Sequence, residues 1–211
     1  MKKIIIALTL ALGITAAAAS SRADPGSPRD VVEKSAQTIL DLLNDPAFHN
    51  PATQDAQLKK IEAEVLALFD FEEFSTRAVG PQWRTFTADQ KTRFQDAFTD
   101  LMRSTYVGTL DSYDGETFEF VGQISSDNGA RVEIQMNFLA KGQTYPLAFR
   151  TLVKNDRWVV YDVIITSVSM IKNYRDQFRD ILAKNDPEEL IRRVQAKADE
   201  QIRNQSAAAA P

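Results

Sequence analysis

Residues 158–165 are apolar on both alternating faces except at Asp162. A strand wetted on one side alternates, so this run predicts a strand buried within a sheet. After Thr166-Ser167 the period changes. Met170, Ile171, Tyr174, Phe178, Ile181 and Leu182 recur at steps of three and four, one face of a helix. Upstream, Ser27-Pro28 reads as N-cap and first residue of a helix over 28–44, with Val31, Ser35, Ile39 and Leu42 on one face. Residues 53–69 carry the stripe Leu58, Ile61, Val65 and Leu68. Asp70 with Glu73, and Thr87 with Gln90, are capping-box patterns. The first opens a short helix ending near Gly80-Pro81. The second opens the longest helix, 88–112, with Phe94, Ala97, Phe98, Leu101, Met102, Thr105 and Leu110 on its apolar face. A last helix over 187–201 is capped by Asp186.

Four strands are predicted, 117–124, 130–140, 144–154 and 157–165, joined by turns short enough to be hairpins. The second sets Val132, Ile134, Met136 and Phe138 against Arg131, Glu133, Gln135 and Asn137. The third puts Tyr145, Leu147, Phe149, Thr151 and Val153 on one side. Such a meander has one apolar face to cover, and the helices are the available cover. The expected fold is α+β, with helices packed on a four-stranded antiparallel meander sheet.

The first residues modify the domain count. Met1-Lys2-Lys3 followed by the apolar run 4–19 reads as a secretory leader, too short for a spanning helix, with cleavage expected after Ala23 or Ala19. Residues 24–205 then form one domain, and 206–211 an expected disordered tail. Without cysteine the chain has no disulfide, lipoprotein anchor or thiolate metal site. No calcium-loop spacing is present, so no metal site is expected. Losing Lys2, Lys3 and Arg22 leaves 22 basic residues against 29 acidic ones. That balance argues against nucleic acid as a partner.

Two blocks carry a resemblance to a known family. In the first, Trp158, Val160, Tyr161, Asp162 and Val163 precede Val168, Ser169, Asn173, Tyr174, Arg175 and Phe178. In the second are Gly80, Trp83-Arg84, Thr87, Gln90, Phe94, Phe98, Leu101, Tyr106, Leu110 and Tyr113. Their order and spacing, within residues 31–204, resemble the MlaC or toluene-tolerance family of periplasmic phospholipid-binding proteins. One departure is Thr166-Ser167, where the family pattern has an acidic residue and a glycine. The resemblance implies a non-enzymatic, periplasmic phospholipid carrier without cofactor. It also implies two partners: an outer-membrane lipoprotein complex and an inner-membrane ABC transporter with an MCE-domain subunit. A deep apolar cavity is then expected between sheet and helices. Its wall would be Val132, Ile134, Met136, Phe138, Leu147 and Phe149 with Phe98, Leu101, Met102 and Tyr174.

Read without the resemblance, the same apolar set is simply a core. The residues contain no glycine-rich phosphate loop, nucleophile elbow or acid–His pairing. His49 lies between prolines in a polar loop, and Ser167 and Ser169 stand where serine caps helices. Asp162 is the exception, because a carboxylate in an apolar strand must offset its burial. The favoured reading makes it structural, bonded to backbone amides or to a basic partner such as Arg175. The alternative is a small-molecule enzyme on a cone-shaped helix-plus-sheet fold with Asp162 as general base, which needs a second polar group beside it. A filled interaction module without a cavity is the third possibility.

Overall fold

The computed structural model describes residues 25–107, 110 and 113–208. The expected leader, the end of the long helix at Ser112, residues 209–211 of the expected tail and the side chain of Tyr106 lie outside these. Among the described residues, four α-helices precede the sheet: α1 (Pro28–Asn44), α2 (Gln54–Leu68), α3 (Phe71–Val79) and α4 (Ala88–Val107). A 3-10 turn, Gly80–Thr85, joins the last two. Two helices follow the sheet, α5 (Met170–Leu182) and α6 (Pro187–Ala208). Helix α6 therefore runs past 201, and the segment expected to be disordered from 206 begins as helix.

The caps are those the sequence announces. Ser27 Oγ accepts from the Asp30 amide, Asp70 from Glu73 and Asp186 from Glu189. Thr87 and Gln90 satisfy each other's amides reciprocally, each such cap being worth about 1 kcal/mol.

The sheet has five strands rather than four: β1 (Thr117–Ser126), β2 (Arg131–Ala140), β3 (Gln143–Lys154), β4 (Arg157–Ile165) and β5 (Val168–Ser169), adjacent in that order. The extra strand is two residues long, too short to show any period. It exists because Thr166 and Ser167 both adopt positive φ, 48° and 70°, turning β5 back onto Ile164 and Ile165. Two successive left-handed residues are what a tight hairpin needs. Here the chain makes the turn without glycine, with Ser167 at the second position and the β-branched Thr166 in an unfavourable conformation at the first. The departure in sequence leaves the turn intact.

Strand β4 is covered on both faces, as its composition predicts. Against one face, Val132, Ile134 and Met136 of β2 pack with Trp158, Val160 and Val163 beneath Val32 of α1. Val160 and Val163 share that face because a bulge at Tyr161 adds one residue opposite Arg150/Thr151. Tyr161 itself turns to the other side, joining Phe74, Phe94, Phe98, Phe178 and Leu190 in the core of α3–α6. The outer edge of β4 is closed by the α2–α3 junction, where the Asp70 amide donates to the Val160 carbonyl at 2.8 Å.

Helices α4 and α6 pack side by side, and Arg93 clasps them through Glu188. Arg93, with help from Gln90, holds the Glu188 carboxyl down to about 2, from an ordinary value of 4.5. A depressed carboxylate stabilises the fold above its ordinary pKa and loses that contribution as pH falls toward the folded value. Melting temperatures taken from pH 5 to pH 2 at low salt are therefore expected to fall more steeply in the wild type than in Glu188→Gln. Because the pair is exposed, salt should shrink the difference.

Candidate functional site

The apolar stripe of α2 is only partly used. Ile61 is buried with Leu43 and Phe48 against α1, and it borders, with Val65 and Leu66, a cleft of about 280 Å³. Leu66 is 44% exposed. Opposite stand Thr99 and Met102 of α4, and Phe69, Phe71 and Phe74 of the α2–α3 segment close one end. Val163 and Ile165 of β4, with Met170 of α5, form the floor. The wall is almost wholly carbon. At its border Glu62 of α2 and Arg103 of α4 pair across 3.2 Å, an exposed bridge worth about 0–1 kcal/mol. Among the described residues, little besides this pair and the apolar wall ties α2 to α4.

Of the ten side chains expected to line a cavity, the cleft takes Met102. Phe98, Leu101 and Tyr174 pack in the core of α3–α6. Val132, Ile134, Met136 and Phe149 pack under α1, with the alternation of β2 as predicted. Phe138 lies between Phe118 and Tyr145, at 5.2 and 6.4 Å between centroids. Leu147 stands directly across from Met136, on the same sheet face as Met136 and Phe149. Between sheet and helices, where a deep cavity is expected, the described residues form this open cleft, and most of the expected wall packs elsewhere. Sequence reasoning missed the cleft's α2 wall as a site, although it found the stripe that builds it.

Asp162 is buried, its side chain 2% exposed. It accepts from the Ser169 hydroxyl at 2.7 Å, the Ile171 amide at 3.1 Å and Arg150 at 3.3 Å. The basic partner is thus Arg150, not Arg175, whose guanidinium instead donates to the Arg77 carbonyl. The bulge at Tyr161 explains the choice, since it sets Asp162 directly across from Arg150. These three donors fix the β4–β5–α5 corner. Asp162→Asn puts an amide N–H₂ among them and is expected to lower stability by about 1–3 kcal/mol, read by urea denaturation, with ligand binding by the folded fraction retained.

Comparison with known proteins places this architecture. The family model described as "MlaC protein" matches residues 33–196. The intermembrane phospholipid transport system binding protein MlaC of Haemophilus influenzae is 20% identical over 184 residues, 82% of this chain and 86% of that protein. The toluene tolerance protein ttg2D of Pseudomonas putida is 28% identical over 103 residues, about half of each chain. Among solved structures, a phospholipid-binding protein from Ralstonia solanacearum in complex with a phospholipid superposes with a TM-score of 0.72 at 21% identity, covering 85% of this chain and 99% of that one. With fold, caps and β4–α5 corner in place and the family model spanning most of its length, this chain belongs to the MlaC family.

Proposed function

We propose that the protein is a non-enzymatic periplasmic phospholipid carrier, and that the apolar cleft is the entrance for acyl chains. It would shuttle lipid between outer and inner membranes in an Mla-type pathway that maintains lipid asymmetry. Its partners would be an outer-membrane lipoprotein complex and an inner-membrane ABC transporter with an MCE-domain subunit. The single observation that carries this reading is the open, carbon-walled cleft with half-exposed Leu66 at its edge. The names of the relatives support it. Asp162 does not support a general base, because both its oxygens are occupied by internal donors.

Two acyl chains carry on the order of 30 methylenes, whose exposure to water at about 0.8 kcal/mol each would exceed 20 kcal/mol. A dry protein site removes that barrier without adding net drive, so partners must set the direction. At about 280 Å³ the cleft sits at the small end of the roughly 300–1,000 Å³ range for drug-sized ligands. A diacyl lipid therefore enters only as the α1–α2 pair moves away from α4, opposed chiefly by the Glu62–Arg103 bridge and the apolar contacts behind it. Native mass spectrometry of protein purified from a Gram-negative periplasm tests the reading. Phospholipid should be bound, and its extraction should lower the melting temperature, as expected when a ligand binds the native state alone. A lipid-free mass with no melting shift on adding phospholipid back would refute the carrier.

A further inference from the structure

On the sheet face turned away from α1, a second bay of about 430 Å³ lies over Tyr161, Ile171 and Asp162. Four cations from three elements converge on it: Arg77 of α3, Arg150 of β3, and Lys172 and Arg175 of α5. The carboxylates around them are already committed. Glu133 and Asp162 hold Arg150, and Glu73 holds Arg77, whose guanidinium lies 4.4 Å from the Tyr161 ring centroid. Lys172 and Arg175 have no carboxylate partner among the described residues. They stand three residues apart on α5, the spacing that puts two side chains on one helix face. Arg175 donates its Nε and one terminal nitrogen to the Arg77 carbonyl, at 2.8 and 2.5 Å. That anchors the guanidinium and leaves its remaining N–H groups for the bay.

Converging like charges repel, and the whole chain is net acidic at −4. A local cationic pocket on such a protein draws in an anion. We propose that the bay binds a phosphate group, free or as the head-group phosphate of a glycerophospholipid. A planar carboxylate offers oxygens in one plane, whereas donors here approach from a strand and two helices, a better match to a tetrahedral oxyanion. Arginine forks also suit phosphate oxygens in pairs. The volume exceeds a bare phosphate and leaves room for an ester substituent. The β4–α5 corner divides this bay from the apolar cleft: Ile165 and Met170 belong to the cleft, Ile164 and Ile171 to the bay. The inference therefore stands whether or not the cleft takes acyl chains.

Two probes test it on the full mature chain at fixed ionic strength: inorganic phosphate and the acyl-free glycerophosphoethanolamine, each titrated while backbone amide NMR shifts are followed. Saturable shifts at Ile171, Lys172 and Arg150 are expected. Lys172→Glu should weaken binding at least tenfold, and so should Arg175→Gln. Lys60→Glu, an exposed reversal on α2, should leave it unchanged. Because Arg175 also braces α3, Lys172→Glu is the variant that cannot fail through misfolding of that contact. Comparable affinity for both probes identifies the head-group phosphate, and affinity for inorganic phosphate alone identifies the free anion; either upholds the site. No saturable response to either probe, or a response untouched by Lys172→Glu, would overturn it.

Discussion

Phe98→Ala is expected to destabilise the protein by about 3–5 kcal/mol, a large part of the roughly 5–15 kcal/mol that holds a domain of this size folded. The Phe98 side chain is fully buried. Its ring stacks on Phe74 at 5.2 Å, and Phe94, Tyr174 and Phe178 approach it at 5.5, 4.9 and 5.2 Å. One residue of α4 thus joins α3 and α5, and truncating it opens a hole that three helices border. Aromatic neighbours cannot collapse into such a space without leaving their rotamers, so little of the loss is recovered. Urea denaturation should show the midpoint falling with the slope unchanged. Were Phe98 instead a cavity-lining residue, the variant would lose bound lipid at a stability cost below about 1 kcal/mol.

The second large effect is expected on binding rather than stability. Leu66→Trp combined with Thr99→Trp places an indole on each facing wall of the cleft, at positions that are not fully buried. Co-purified phospholipid should fall at least tenfold, while the lipid-free form melts close to the wild type. The paired control is Ile134→Val, fully buried under α1. It should lower stability by about 0.5–1.5 kcal/mol and leave lipid occupancy intact. Unchanged lipid content in the tryptophan variant would place the acyl chains elsewhere in the molecule.

The contrast between Phe98 and Leu66 shows what the sequence could reveal. Helix periods, capping boxes and the strict alternation of β2 depend on neighbours a few residues away, so the elements and the buried side of the sheet were legible. The two-sided burial of β4 was legible too, because its composition leaves no wet face. Whether an apolar side chain borders a packed core or a cleft depends on how two distant surfaces fit. Phe98 and Val65 look alike along the chain, and their environments separate only once α2 meets α4. Arg150 as the partner of Asp162 was hidden for a related reason. The bulge at Tyr161 shifts the register by one residue, and nothing in the local pattern announces it. Strand β5 is too short to have a pattern at all.

A second irregularity, in β1, bears on how copies of this protein behave beside one another. Strand β1 forms the open margin of the sheet, and its pairing with β2 slips between Phe120 and Gly122, leaving Val121 as an extra residue, 56% exposed. A margin of ten regular residues would offer an unbroken row of amide donors and carbonyl acceptors to any other strand. Where the row loses step, an incoming strand in register on one side of Val121 is out of register on the other. Ladder growth between molecules therefore stalls within a few residues. Crowded copies are therefore expected to find no long in-register pairing along this margin.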